Sequence, residues 1–378
     1  MIQKATISLG ILFIPVFFLF SSLFYSCSGG EPPDRQVDTF ELHRGTNIAH
    51  WLSQSDARGE QRKAFFTRSD VDTLAALGFD HLRIPVDEEQ LWDESMNKHE
   101  EAFALLHDAI GWCRDAGLRV VVDLHILRSH HFNAGERPLW TEASAQEQFL
   151  DLWRDLSGEL KEYSTGLVAY ELMNEAVADN PDDWNNLLDR GIATVREQEP
   201  ERKIVIGSNR WQSVDTFDDL RIPENDTNII LSFHFYHPFA FTHYKASWVK
   251  IGEYTGPVHY PGMVVEKSDR EGLPEELLRW IRDGGGYYDS DTLRSMMQEP
   301  LAFAREHQLP LYCGEFGVYP TAPRPDRLRW YADMIRILED EGIAWATWCY
   351  KGSFGIYHED GSLDMELVNR LIPKKEQL

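Results

Sequence analysis

The chain has 378 residues, 43% apolar and 26% charged, enough to bury a large core in one big domain or two ordinary ones. A net charge of −25 repels nucleic-acid phosphates, which sets DNA and RNA partners aside and leaves neutral polymers such as polysaccharides unaffected. Aromatic residues are abundant, with 12 Trp, 14 Tyr and 20 Phe, a supply that suits either sugar stacking or an ordinary large core.

Residues 1–27 have the pattern of an export segment. Lys4 precedes an apolar run from Ile7 to Phe24, followed by Tyr25-Ser26-Cys27-Ser28-Gly29-Gly30. Cys27 directly after that run resembles the lipid-bearing cysteine of a bacterial lipoprotein, although Phe24 stands where such sites usually carry Leu. A retained membrane anchor is the alternative, because the run approaches the roughly 20 residues that span a bilayer. Either way the body of the chain is expected outside the cytoplasmic membrane, in the cell envelope or secreted, touching a membrane only through this end. Residues 28–39 contain Pro32-Pro33 and are expected to be a flexible tether, with residues 40–378 forming one monomeric domain. Cys113, Cys313 and Cys349 have no metal-ligand spacing and are expected to be buried thiols.

Beyond the tether, strand and helix patterns alternate. His43–Ile48 is a first strand, and Ser69-Asp70 caps a helix carrying Val71, Leu74, Ala75 and Leu77 up to Gly78. Phe79–Ile84 is a second strand, ended by Pro85, and Glu101–Ala116 a helix stopped by Gly117. Leu118–Leu124 is a third, rich in valine as a strand buried on both faces should be. Helix 144–163 leads to strand four, Leu167–Tyr170, which runs into Glu171-Leu172-Met173-Asn174-Glu175-Ala176. Helix 181–197, strand Lys203–Gly207 and strand Asn228–Phe235 follow. The segment 236–286 breaks the rhythm with Gly, Pro, Tyr and Trp and one helical piece near 274–282, as a functional loop does. Helix 291–307, strand Pro310–Gly314, helix 327–341, strand Ile343–Trp348 and helix 363–371 complete the chain.

Eight strands alternating with helices predict a single (β/α)8 TIM barrel with a long loop after strand six. A doubly wound open sheet is the competing architecture, but Arg44-Gly45-Thr46-Asn47 lacks the glycine spacing of a dinucleotide fold. Barrel chemistry gathers at the C-terminal strand ends. Those ends carry Asn47, Arg83, His125, Asn174-Glu175, His234-Phe235-Tyr236, Glu315 and Trp348. Either carboxylate alone could be half of a salt bridge. Two of them facing each other from strands four and seven are what glycosidic bond cleavage needs, one to give a proton and one to attack or activate water.

These ends resemble glycoside hydrolase family 5, the cellulase family. The likeness is carried by Arg44-Gly45-Thr46-Asn47, Leu82-Arg83-Ile84-Pro85, Asp123-Leu124-His125, Leu172-Met173-Asn174-Glu175, His234-Phe235-Tyr236, Gly314-Glu315-Phe316-Gly317 and Trp348, within residues 40–371. The resemblance implies a retaining double displacement on a β-linked polysaccharide, most directly β-1,4-glucan, without a cofactor or metal. It implies Glu175 as acid/base, Glu315 as nucleophile, and Arg83 and Tyr236 as hydrogen-bond donors to the nucleophile. By position Asn174 would bind the sugar 2-hydroxyl, His125 and His234 would line the cleavage subsite beside Asn47, and Trp348 would stack beneath the sugar. Ala176 stands where the family often has Pro. Mannan, xyloglucan and β-1,3-glucan remain open as substrates. A carbohydrate-binding surface lipoprotein without activity is the reading from another class.

Strand parity adds local expectations. Asn174 and Glu175 are adjacent, so a kink or bulge must bring both to one site. The same parity points Cys313 inward with Glu315, and Cys349 outward beside Trp348, with no disulfide between them. His125, His130 and His131 could suggest a zinc site, but a substrate-lining loop is favoured. The stretch His237–Tyr244 with Trp248, together with Lys351, Phe354 and Tyr357, is a candidate cleft wall.

Overall fold

The computed structural model describes residues 39–373, so the export segment and the tether up to residue 38 lie outside the described residues. Eight parallel strands close into a barrel: β1 (Arg44–Asn47), β2 (His81–Asp87), β3 (Arg119–Ile126), β4 (Val168–Glu171), β5 (Ile204–Gly207), β6 (Ile229–Phe235), β7 (Leu311–Phe316) and β8 (Ala344–Thr347). Each pairs with its neighbours in sequence, and β8 closes on β1. This is the expected (β/α)8 barrel. No helix among the described residues is long and apolar enough to cross a membrane.

The helices follow their sequence signals, with differences that have local causes. The helix expected to start at Ser69-Asp70 is capped by Thr67, whose side chain and that of Asp70 satisfy each other's backbone N–H groups in a capping box. The helix expected over 291–307 is two, Ser290–Met296 and Gln298–His307. Pro300 explains the break, because a proline clashes with the carbonyl four residues back and offers it no N–H. Strand β2 runs through Pro85 to Asp87 instead of ending there. The Arg83 carbonyl bonds the Ile48 N–H, so Pro85, two residues on, turns its missing N–H to the same side, where β1 has ended. The segment after β6 folds into short helices, including Phe239–Thr242 and Glu275–Gly284, and a two-stranded antiparallel ribbon of Gly262–Met263 with Tyr287–Tyr288.

Inside the barrel, side chains stack in layers. Val121, Ala169, Val205, Ile230, Tyr312 and Ala346 form an apolar layer with Phe40. Alternate residues, such as Val120, Val122 and Leu124 of β3, face the helices in the main core. Toward the C-terminal mouth the inward positions become polar, with Arg83, Asp123, Glu171 and His234 all buried. An apolar base under a charged upper layer holds the site on a rigid floor.

Candidate active site

Arg83 is the centre of the polar layer. Its Nε and Nη2 donate to the two oxygens of Glu171 at 2.7 and 3.0 Å, and Nη2 lies 3.0 Å from Asp123. Its Nη1 donates to Glu315 at 2.7 Å and to Asn47 at 2.9 Å, and Nη2 also donates to Asn174 at 2.8 Å. Burial works against the guanidinium, but the charges of Asp123, Glu171 and Glu315 outweigh it and hold Arg83 protonated. A single buried cation facing three carboxylates cannot neutralise them all, and burial pushes Asp123 up to about 7.

Glu315 reaches the site through a bulge. Phe233 of β6 pairs with Cys313 of β7, and His234 with Glu315, so Gly314 is one extra residue. The parity expectation for Cys313 is therefore wrong: Tyr312 belongs to the interior layer and Cys313 to the core outside it, and the bulge turns Glu315 back inward. Gly314 leaves room for this, since a Cβ there would lie 2.9 Å from Ser232 Oγ. Cys113, Cys313 and Cys349 are free and buried. Tyr236 donates its hydroxyl to the second oxygen of Glu315 at 2.8 Å. Burial raises the Glu315 carboxyl and prevails, while the Arg83 charge and the Tyr236 hydrogen bond limit the rise.

Glu175 is seated differently. Strand β4 ends at Glu171, and the chain bends so that both Asn174 and Glu175 face the site, with Glu175 at φ +46°. The expected kink is present, and it is a left-handed one. His234 Nδ1 lies 2.9 Å from Glu175 and 3.7 Å from Glu315. Burial and the Arg83 charge keep that imidazole neutral, so no cation touches Glu175. Burial first, and the Glu315 charge second, lift the Glu175 carboxyl well above its ordinary range. One oxygen of each glutamate and a His234 nitrogen lie within 4.8 Å of one another. A metal ion among these three would stand beside Arg83 and force Glu175 to ionise, against the charge pattern around it.

The remaining predicted residues gather at the same mouth. His125 bonds Asp123 through Nδ1 at 2.7 Å and stacks on Trp348, with ring centres 5.6 Å apart and planes 7° from parallel. Burial lowers His125 to about 4, so it is neutral and its unpartnered Nε2 can accept a hydroxyl. Asn47 supports Arg83 from beneath, while His125, Asn174, Glu175, His234, Tyr236, Glu315 and Trp348 line one cavity of about 970 Å³. Trp211 and Phe132 form one wall, and Phe239, Trp248 and Trp280 another. Of the suggested cleft residues, Phe354 lines this cavity, whereas Lys351 is tied to Asp70 and the Phe65 carbonyl, and Tyr357 to Tyr350. His125, His130 and His131 do not converge, because His130 Nε2 accepts the Val177 N–H at 3.2 Å.

Sequence reasoning missed three partners. Glu171 and Asp123 hold Arg83, and both could have been noticed as acidic residues at inward positions of apolar strands. Gln212 accepts the Glu175 N–H at 3.0 Å, and its NH2 donates to Glu171 at 3.2 Å and to Ser232 at 3.0 Å. It lies in a loop with no pattern pointing to it.

A parallel barrel whose mouth holds one carboxylate against an arginine and another against a neutral imidazole, in a cleft walled by aromatic rings, is the frame of a glycoside hydrolase. Residues 42–353 match the family model for cellulase (glycosyl hydrolase family 5), and the chain belongs to that family. Endoglucanase C of Acetivibrio thermocellus is 31% identical over 350 residues, covering 88% of this chain and 98% of its own length. Cellodextrinase A of Ruminococcus flavefaciens is 28% identical, covering 80% and 83%. The crystal structure of endoglucanase Cel5A from Thermotoga maritima superposes with a TM-score of 0.71 at 24% identity, covering 88% of this chain and 97% of its own.

Proposed function

We propose that this enzyme is a retaining, endo-acting β-glucanase whose first substrate is β-1,4-glucan. The observation that carries it is the contrast in surroundings of two nearby carboxylates, one against Arg83 and Tyr236 and the other against a neutral imidazole. Glu315, held by Arg83 and Tyr236, is the ionised nucleophile, and Glu175, desolvated and free of cations, is the proton donor. Glu315 attacks the anomeric carbon as Glu175 protonates the leaving oxygen. Glu175 then takes a proton from the water that releases the glycosyl ester. The 4.8 Å limit between their oxygens supports retention, since an inverting pair stands roughly 6.5–9.5 Å apart to admit a water. Trp348 would carry the sugar at the cleavage point, with Asn174 at its 2-hydroxyl and His125 and His234 beside it. The curated endoglucanase relative supports β-glucan as substrate and internal attack.

The test is reducing-sugar release and viscosity loss on β-1,4-glucan, mixed-linkage glucan, xyloglucan, β-1,3-glucan and mannan, with wild type and Glu315→Gln. Rapid viscosity loss on β-1,4-glucan, abolished by the substitution, is expected. Equal rates in both proteins would sink the nucleophile assignment, and turnover of mannan alone would sink the substrate. We further propose, on the export pattern of residues 1–27, that the enzyme is held in the cell envelope through lipid on Cys27, and that it acts as a monomer. Labelled palmitate incorporated equally by wild type and Cys27→Ser would contradict that anchor.

A further inference from the structure

The loop that carries Glu175 has left its sheet, so its backbone groups need partners from elsewhere. The Asn174 N–H goes to the Leu124 carbonyl, and the Val177 N–H to His130 Nε2. The Ala178 N–H goes to Asn209 Oδ1, and the Ala176 carbonyl accepts from the Trp211 N–H. The peptide of the catalytic residue itself is held by one side chain, Gln212.

Gln212 is 1% exposed, and each of its amide atoms is used. The Glu175 N–H can only donate and so faces Oε1. That turns the NH2 toward Glu171 Oε1, one of the oxygens gripped by Arg83. The amide therefore ties the main chain of Glu175 to the network that holds Glu315. The fold accommodates this at several points. Arg210, Trp211 and Gln212 all have left-handed backbone, with φ of +52°, +65° and +52°. A non-glycine residue in that region costs on the order of 1–3 kcal/mol and persists where its surroundings over-determine it. Gly207 at the end of β5 leaves the space, since a Cβ there would lie 2.2 Å from Gln212 Cγ.

We propose that Gln212 is a positioning residue for the general acid, fixing the left-handed Glu175 peptide against Glu171 so that the carboxyl meets the leaving oxygen. The proposal rests on the reading of Glu175 as the proton donor. A residue that only fills space would slow all substrates alike. One that places the acid matters in proportion to how much the leaving group needs a proton.

The experiment compares wild type, Gln212→Met and Gln212→Asn on phenyl and 2,4-dinitrophenyl β-cellobiosides, with circular dichroism to follow the fold. The Met variant keeps the volume and loses the acceptor, and the Asn variant withdraws the amide by one methylene. A small misplacement of a catalytic group costs about 10²-fold. Loss of about that size is expected in kcat/KM for the phenyl substrate, against less than about threefold for the dinitrophenyl one, whose leaving group departs without protonation. Equal losses on both, no loss on either, or a lost fold in both variants would overturn the role. Wild type cleaving neither cellobioside would overturn the β-glucanase reading and the proposal with it.

Discussion

Glu315 stays within its strand, whereas Glu175 stands four residues past the end of its own. At Glu315 a single-residue bulge turns the side chain inward without leaving the barrel, and two donors, Arg83 Nη1 and Tyr236 OH, meet its two oxygens. At Glu175 the sheet has ended, and side chains of two other loops, Gln212 and Asn209 after β5 and His130 after β3, hold the N–H groups of Glu175, Val177 and Ala178. The carboxyl itself meets only the neutral His234. The difference suits the proposed chemistry. A nucleophile needs fixed positive partners that favour its charged form, and an acid needs a site that penalises charge. The rigid sheet supplies the first, and a polar loop clamped over a dry floor supplies the second.

The comparison breaks most severely at Arg83. Arg83→Met removes the cation from Asp123, Glu171 and Glu315 together, leaving three buried carboxylates with neutral hydrogen-bond partners alone. Removing one partner of a buried pair costs about 3–5 kcal/mol, so a clearly lowered melting temperature and lost turnover are expected. A variant melting like wild type would show that these carboxyls are already neutral without Arg83.

Tyr236→Phe is a smaller and more selective change. A hydrogen bond to a charged group contributes about 1.5–3 kcal/mol, so kcat/KM should fall roughly 10- to 100-fold. The sign of the pH effect follows from the donor's role. The hydroxyl lowers the Glu315 carboxyl, so without it Glu315 keeps its proton to higher pH, and the acid limb of the kcat/KM profile moves upward. A shift confined to the basic limb would place Tyr236 on Glu175 instead.

The barrel was legible because its strands are near-continuous apolar runs such as Val120-Val121-Val122, and because glycines end the helices at Gly78 and Gly117 in left-handed backbone. The ring of strand-end residues was legible for the same reason, since topology alone brings Arg83, Glu175, His234 and Glu315 to one mouth. Parity failed at Cys313 because a bulge adds a residue without altering composition, and Gly314 was its only trace. The roles of Gln212, Asn209 and His130 were not legible. They act across loops on backbone groups, and nothing in local periodicity records which N–H a distant side chain will accept. The coil read after strand six hid its ribbon because strands of two residues carry no pattern.

The most direct test of the division between the two seats is to trap the glycosyl enzyme. A 2,4-dinitrophenyl 2-deoxy-2-fluoro-β-cellobioside has a leaving group that needs no acid, and its fluorine slows release of the intermediate. Digestion and mass spectrometry after inactivation should find one fluorocellobiosyl adduct, on the peptide containing Glu315 and specifically on its carboxylate. An adduct on Glu175, or turnover without any adduct and with inversion at the anomeric carbon, would contradict the account.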